Sequence, residues 1–498
     1  MALWPLITLL GSAAEDHSGE GFTTLAGADR LLRRRGTLAA VRLHLPLPAG
    51  IAVARTAARV SRLVGAGGGT TVPGKVLSFL DPDALDRLAE RLPLGSALIS
   101  ATNGKTTTTA MAAEILSPQL RLAHNNSGAN LVSGVASTLL ATRGAELGLF
   151  EVDEAALPEV ARRTRPRALC LGNLFRDQLD RYGELELVAE RWRAAVRELS
   201  PEAALIVNGD DPQVGDLSRA RAGALVFGLD DARHAMKELP HAADSKWCLV
   251  CGRPYEYRAA YVGHLGDYRC SSCGHGRPPL DVAAREVELR GLDGVDFTLA
   301  APAGERRVRL RVPGLYNVYN ALAAATLALA LGAELEEVGA GLERFAAAFG
   351  RFERIDLGDQ RLLVLLVKNP AGANEAVRTL VAGGPPRLAV LALNDEIADG
   401  RDVSWIWDVD WEPLLEGLEQ VVATGERASE MALRCKYGGF PETAIEVVPD
   451  LGRALDQALE LTPAGGELVI LPTYTAMLAL RKIVSERGFV RPYWERAA

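Results

Sequence analysis

Short apolar runs alternate along this chain with segments of helical length. The runs fall at 96–100 (SALIS), 146–152 (ELGLFEV), 168–174 (ALCLGNL), 203–208 (AALIVN) and 224–229 (ALVFGL), and each closes on polar or glycine residues. Fully apolar runs of this length, separated by helices, predict the buried strands of a doubly wound parallel sheet. Function is then expected at the carboxyl ends of the strands. Residues 240–280 interrupt the pattern with a cluster of cysteines, and 308–332 reads as a strand, a turn and an alanine-rich helix. After 350–355 a second series begins, with runs at 362–367, 387–393, 420–425, 444–448 and 467–472. The expected organisation is an N-terminal extension of unknown role (1–50), a central α/β domain (51–354) with an insert at about 240–280, and a smaller C-terminal α/β domain (355–498).

The region before the first strand is less regular. Residues 51–65 fit an amphipathic helix with Arg55, Arg59 and Arg62 on one face, suited to solvent or to an anionic surface. Residues 65–75 (GAGGGTTVPGK) read as a flexible break. Residues 81–92 read as a helix with Asp81 as N-cap and Pro82 in its first turn.

Composition narrows the class. The 498 residues suggest about three domains. With 55 Lys plus Arg against 63 Asp plus Glu, the formal net charge is −8, so no chain-wide basic footprint for nucleic acid is present. Six cysteines are too few for a disulfide scaffold, and four of them cluster, which points to a metal in a reducing compartment. The apolar start MALWPLITLL is short, with no positive charge before it, so neither a secretory signal nor a membrane span is expected.

The first strand leads into Ala101-Thr102-Asn103-Gly104-Lys105-Thr106-Thr107 and then a helix. Gly104 lets the backbone approach a phosphate, the helix N-terminus supplies unpaired N–H groups, Lys105 can neutralise β/γ-phosphates, and the Thr106 hydroxyl can ligate Mg²⁺. Ile99 occupies the position of the first glycine of the full eight-residue phosphate loop, so the motif is partial. Glu151 and Asp153, at the end of a following run, are candidate Mg²⁺ ligands.

Cys248-x-x-Cys251-Gly252 and Cys270-x-x-Cys273-Gly274 form two knuckles whose four thiolates can close a tetrahedral Zn²⁺ site. Each glycine permits the positive φ that turns N–H groups toward sulfur. Four sulfurs leave no open catalytic position, so the metal is expected to be structural, with His264 and His275 surplus. The two remaining cysteines, Cys170 in a buried run and Cys435 near a helix end, lack the glycines of a nucleophile elbow. The chain is not expected to release ammonia from glutamine by itself.

Several segments, in order, resemble the ATP-dependent Mur ligases: 102–107, then 173–181 (NLFRDQLDR), 313–321 (PGLYNVYNA) and 350–353 (GRFE). Residues 124–130 (HNNSGAN), 368–372 (KNPAG) and 394–408, from Asn394-Asp395 to Asp408, resemble the MurT branch, the ligase-like subunits of lipid II isoglutaminyl synthase. Gln178 and Tyr316 stand where amino-acid-adding members usually carry His, and Ala101 where Gly is usual. The resemblance implies a Mur ligase-like central ATPase domain with an inserted zinc ribbon and a C-terminal Rossmann-like domain. It implies ATP, Mg²⁺ and Zn²⁺ as cofactors. Thr102 to Thr107 and Glu151 would serve the phosphates and metal, Asn317 and Asn320 the adenine, and Arg351 the γ-phosphate. The implied activity is amidation of the D-glutamate α-carboxylate of the lipid II stem peptide at the inner face of the cytoplasmic membrane.

The implied partner is a class I glutaminase subunit, to which the chain lends an aspartate, Asp402 or, second, Asp399. On its own terms the 395–410 segment holds five Asp and one Glu with Trp405, Trp407 and Trp411 in or beside it, a composition common at interfaces. An amino-acid-adding Mur ligase, a zinc-ribbon nucleic-acid ATPase and a non-catalytic ATP-binding scaffold are the alternatives.

Overall fold

The computed structural model describes residues 49–54, 56, 71–125, 129–176, 185–240, 243–346 and 351–490. The expected extension and the Arg55, Arg59 and Arg62 face lie outside these residues, apart from a helical stretch over 49–54. Gln178 also lies outside them, and Arg351 is described in its backbone only.

The central region begins with β1 (Ser96–Ser100), β2 (Leu122–His124), β3 (Leu147–Glu151), β4 (Ala168–Leu171), β5 (Ala204–Asn208) and β6 (Leu225–Leu229). An antiparallel pair of its own follows, β7 (Glu256–Val262) with β8 (Leu265–Arg269), and then β9 (Val282–Leu289), β10 (Val295–Ala301) and β11 (Gly304–Leu310). The large sheet runs β11-β10-β9-β6-β5-β4-β1-β3-β2. β1 is paired in parallel on both sides, Ala97 facing Leu149 of β3 and Ala168 of β4. Chain order reverses around it, the switch point at which doubly wound sheets open a crevice.

The sheet is mixed rather than parallel throughout, because β10 pairs antiparallel with both β9 and β11. These strands alternate apolar and charged positions, as in GERRVRL of β11, so one face meets solvent and no continuous apolar run marks them. Two local expectations also change. Residues 72–75 are the first turn of a helix, Val72–Leu80, started by Pro73. The next helix is shorter than expected, Ala84–Ala89, with Asp83 at its N-cap, while the Asp81 carboxylate accepts the Asp83 N–H at 3.2 Å and pairs with Arg87.

Helices cover both faces of the sheet. Lys105–Leu116 and Leu315–Ala330 pack together on one face, in a core with Ile99, Leu149 and Phe297. The second is buried nearly all round. Its alanines allow that close approach, since a helix is excluded from a neighbour mainly by side-chain bulk. On the other face Leu98, Phe150, Leu169 and Trp192 form a separate core.

The second sheet contains β12 (Arg351–Asp356), β13 (Arg361–Leu365), β14 (Leu388–Ala392), β15 (Gln420–Thr424), β16 (Ile445–Val447) and β17 (Glu467–Pro472), in the order β12-β13-β17-β14-β15-β16. All pairs are parallel except β12 with β13. β12 runs across position 354/355, so its first residues belong to the second sheet.

Candidate functional site

The turn after β1 is strapped to the segment after β4. The Thr102 N–H donates to the Asn173 carbonyl at 2.9 Å. Asn173 accepts the Asn103 N–H through Oδ1 at 2.9 Å and donates through Nδ2 to the Asn103 carbonyl at 3.0 Å. Thr102 Oγ1 accepts the Phe175 N–H at 3.1 Å. Gly104 then takes φ 87° at the N-cap of the Lys105–Leu116 helix. A Cβ there would lie 1.9 Å from Asn320 Oδ1, so only glycine fits between this turn and the alanine-rich helix.

Lys105 is buried. Its Nζ donates to the Ala101 carbonyl at 2.5 Å and to Glu154 Oε2 at 2.7 Å. Burial alone would push the ammonium pKa down, but Glu154, and after it Glu151, outweigh burial and hold it above its ordinary value. Glu154 was not among the expected residues. The carboxylates expected from the strand end were Glu151 and Asp153; only the fold turns the next one onto the lysine.

Glu151 is oriented by its neighbours. Asn125 accepts the Glu151 N–H and donates to its carbonyl, both at 2.8 Å, and Asn130 Nδ2 reaches Oε1 at 3.4 Å. Oε2 is buried with no hydrogen-bond partner among the described residues. An orphaned carboxylate oxygen beside a phosphate-type turn fits a hard cation, which takes oxygen ligands. Thr106 is half-buried in the first turn, and Thr107 is buried beside the cavity described next.

Asn317 and Asn320 lie on the buried face of their helix. Asn317 Nδ2 donates to the Pro313 carbonyl at 2.7 Å, and Asn320 Nδ2 donates to Asn317 Oδ1 at 3.0 Å. Both line a cavity of about 120 Å³ with Asn103, Gly104 and Tyr316. Tyr319, also on its wall, donates to the fully buried Asp210 at 2.6 Å, and Asp210 accepts from Arg277 at 3.0 Å. Burial raises the Asp210 pKa, against the opposing charge of Arg277. Arg277 leaves the cysteine insert four residues after Cys273, so a polar relay joins that insert to the cavity wall.

The four cysteines converge: the Cys248 and Cys273 sulfurs are 3.5 Å apart, those of Cys251 and Cys270 are 3.4 Å apart, and all four lie within 4.8 Å of one another. Gly252 and Gly274 take φ 68° and 76°, as the knuckle requires. Burial disfavours the Cys248 thiolate, but the N–H groups of Cys251 and Val250 outweigh it and draw its pKa down to about 6. The cluster is therefore suited to a tetrahedral metal. The two nearby histidines do other work. His275 bonds Tyr255 Oη at 2.8 Å and Asp216 at 3.1 Å, and His264 lies 3.3 Å from Asp211.

Cys170 and Cys435 are both fully buried; burial raises both thiol pKa values, that of Cys435 to about 12. A buried thiol held protonated is a poor nucleophile.

The aspartates after β14 differ sharply. Asp399 is buried and accepts the Thr475 N–H at 2.9 Å and its hydroxyl at 2.5 Å, which fixes the start of the Tyr474–Glu486 helix. Asp402 is exposed, and the N–H and hydroxyl of Ser404 hold its carboxyl below the usual range. Of the tryptophans, Trp411 is core, Trp405 is half-buried and Trp407 is exposed. Asp402 and Trp405 line a second cavity, about 410 Å³, between the two sheet regions. Phe175, Lys368, Ala371 and Glu375 line both cavities. The regions are tied by Asn103 and Asn369, whose side chains exchange hydrogen bonds at 3.0 and 3.3 Å, and by Arg378 donating to the Tyr261 carbonyl at 2.6 Å.

Comparison with known proteins agrees with this arrangement. Residues 99–265 match the Mur ligase middle domain, and 366–477 match the MurT ligase C-terminal domain. The chain is 34% identical over 439 residues to the MurT subunit of the glutamine-hydrolysing lipid II isoglutaminyl synthase of Streptococcus pneumoniae, covering 85% of this chain and 94% of that protein. Identity to the corresponding Staphylococcus aureus subunit is 31%, covering 86% and 95%. Among solved structures, a pseudomurein peptide ligase type C from Methanothermus fervidus superposes with a TM-score of 0.64 at 22% identity, covering 83% of this chain and 84% of that one. MurF from Acinetobacter baumannii gives 0.60 at 21%, covering 82% and 80%. These two likenesses concern the fold.

Proposed function

This chain belongs to the MurT branch of the Mur ligase family, and from that premise we propose that it is the ATP-consuming subunit that amidates lipid II. The γ-phosphoryl group of ATP passes to the α-carboxylate of D-glutamate in the stem peptide, leaving ADP and an acyl phosphate. Ammonia attacks the acyl carbon, phosphate departs, one proton is lost, and D-isoglutamine remains.

The observation that carries this reading is the buried Lys105 at the turn after β1, ringed by Glu154 and Glu151. A lysine kept charged at a helix N-terminus meets the need of phosphoryl transfer, where positioning and charge stabilisation dominate. Its bond to Glu154 is one that polyphosphate oxygens would replace. Glu151 and the Thr106 hydroxyl would hold Mg²⁺, which neutralises phosphate charge when bound. Asn317 and Asn320 would face the adenine, Thr102, Asn103 and Thr107 would shape the phosphate cradle, and Arg351 would reach the γ-phosphate. The four cysteines would hold a structural Zn²⁺.

The nitrogen has to come from elsewhere, because Cys170 and Cys435 are sealed and protonated. A class I glutaminase subunit forming a heterodimer would supply it, with Asp402 lent to orient that partner's histidine. Exposure and a retained negative charge favour Asp402 over the buried, committed Asp399. We place the complex at the inner face of the cytoplasmic membrane, where lipid II is made accessible. Among the described residues no helix is long and apolar enough to cross a membrane.

The test is co-purification with the glutaminase subunit, followed by ATP- and glutamine-dependent amidation of lipid II. Full amidation by Lys105→Ala in an intact complex would refute the assigned mechanism. ATP hydrolysis stimulated by an amino acid instead of ammonia would favour an amino-acid-adding ligase.

A further inference from the structure

Ala371 and Glu375 stand one turn apart on the Pro370–Ala382 helix, on the stripe where the two cavities meet. With Phe175 and Lys368 they are the described residues that line both cavities, and Glu375 is the carboxylate among them. The start of this helix is tied to the turn after β1, because its N-cap Asn369 exchanges side-chain hydrogen bonds with Asn103 at 3.0 and 3.3 Å. Glu375 follows Asn369 by six residues, about 9 Å along the axis at 1.5 Å per residue. That separation accommodates an acyl phosphate and an attacking nitrogen between the turn and the carboxylate. Asp402, assigned above to the glutaminase contact, lines the larger cavity, and Asn103 and Gly104 of the turn line the smaller one. Nitrogen entering through the first and an acyl phosphate formed in the second meet at the wall they share.

Little in the fold asks for an acid at this place. Glu375 is buried; its Oε1 accepts Arg378 Nη1 at 2.7 Å, and Oε2 accepts no hydrogen bond among the described residues. Arg378 has another acceptor in the Tyr261 carbonyl, at 2.6 Å, and its side chain is partly exposed. An ion pair over three residues with a partly exposed arginine returns less than the desolvation of a buried carboxylate costs. Burial outweighs Arg378 and raises the Glu375 pKa above the usual carboxylate value, toward the range where a general base works best. Lys368 sets a positive charge on the same wall, suited to the departing phosphate. Phe175 and Ala371, the other shared residues, offer no competing base.

We propose that Glu375 is the base that takes the surplus proton from the attacking nitrogen, a role that rests on the function proposed above. The lone pair of ammonia forms the C–N bond at the acyl carbon. The C–O bond to phosphate breaks, and its electron pair leaves on phosphate. The proton that the nitrogen must shed passes to Glu375 Oε2, which returns it to water once the product has gone.

The test uses the full chain in complex with its glutaminase subunit, with ATP, lipid II in detergent and three nitrogen sources: glutamine, ammonium chloride and hydroxylamine. Glu375→Gln should lower amidation from glutamine and from ammonium chloride alike by about 10²-fold or more, the range of general base catalysis. Hydroxylamine is a strong nucleophile, uncharged at neutral pH, whose adduct loses its proton readily to water. It traps the acyl phosphate without this base, so hydroxamate formation should stay close to that of wild type. The ratio of amide to hydroxamate therefore falls, which a merely structural role would not produce. Glu375→Asp, which keeps a carboxylate but shortens its reach, should lower the same ratio by less, and it carries the test if the glutamine variant does not fold. An unchanged ratio in these variants would overturn the proposal, whether amide and hydroxamate both persist or both fall together. A wild-type complex that forms neither product would instead remove the function proposed above.

Discussion

Two turns at the carboxyl ends of central strands, 101–107 after β1 and 393–411 after β14, solve opposite problems. In the first, polar groups are satisfied within the chain: Asn173 holds Asn103, Thr102 holds the 175 backbone, and Lys105 is neutralised by Glu154. In the second, Asp399 and Trp411 are committed to packing, while Asp402 and Trp407 are left in solvent. A site complete in one polypeptide buries its charges in pairs. On the function proposed above, the second turn is completed by another protein, and Asp402 stays at the surface, where water solvates its charge until docking.

The largest expected effect tests the second turn. Asp402→Asn should lower glutamine-dependent amidation by about 10³–10⁴-fold, the scale seen when an aspartate orienting a catalytic histidine is lost. Amidation driven by ammonium chloride should be retained, and a loss with both nitrogen sources would erase the contrast. Lys105→Ala tests the first turn. It should lower amidation by about 10²–10³-fold with either nitrogen source, the scale of one charge-stabilising donor. It also strands Glu154, so thermal unfolding should accompany the kinetics.

Asp399→Asn sharpens the distinction between the two aspartates. It weakens the bonds to Thr475 and should cost about 1–3 kcal/mol of stability in denaturant titration. Activity per folded molecule should change little. A glutamine-specific loss in this variant would exchange the roles of Asp399 and Asp402.

A last effect, away from both turns, concerns pH. Burial pushes the His124 pKa down to about 4. The unfolded chain takes up a proton near the ordinary value of about 6.5, while the folded one resists until about 4, so stability is full above 6.5 and falls as pH drops through that window. The loss should reach about 3 kcal/mol by pH 4, and His124→Gln should flatten this limb of the stability curve, measured by unfolding midpoints from pH 7 to 4.

Much of this was legible in the chain itself. The parallel strands announced themselves as apolar runs because both faces are buried; β1, β5 and β17 fall within a residue of the pattern. The cysteine cluster was legible because knuckle spacing fixes the geometry of the four sulfurs almost locally, needing only Gly252 and Gly274 to turn. The antiparallel edge of the large sheet was not, since β9, β10 and β11 mix charged and apolar positions. Nor was Glu154, whose contact with Lys105 spans 49 residues, or the Asp210–Tyr319 bond, which spans 109.

Local order along the sequence determined the parallel strands, the glycine–lysine turn after β1, the cysteine knuckles and the residue types fit for each task. Tertiary structure alone decided which carboxylate meets Lys105, which of Asp399 and Asp402 reaches solvent, and that the cysteine insert touches the cavity wall through Arg277. The reason is that backbone propensity and periodicity act over a few residues, whereas burial and electrostatic pairing depend on distances in space that only the packed sheets establish.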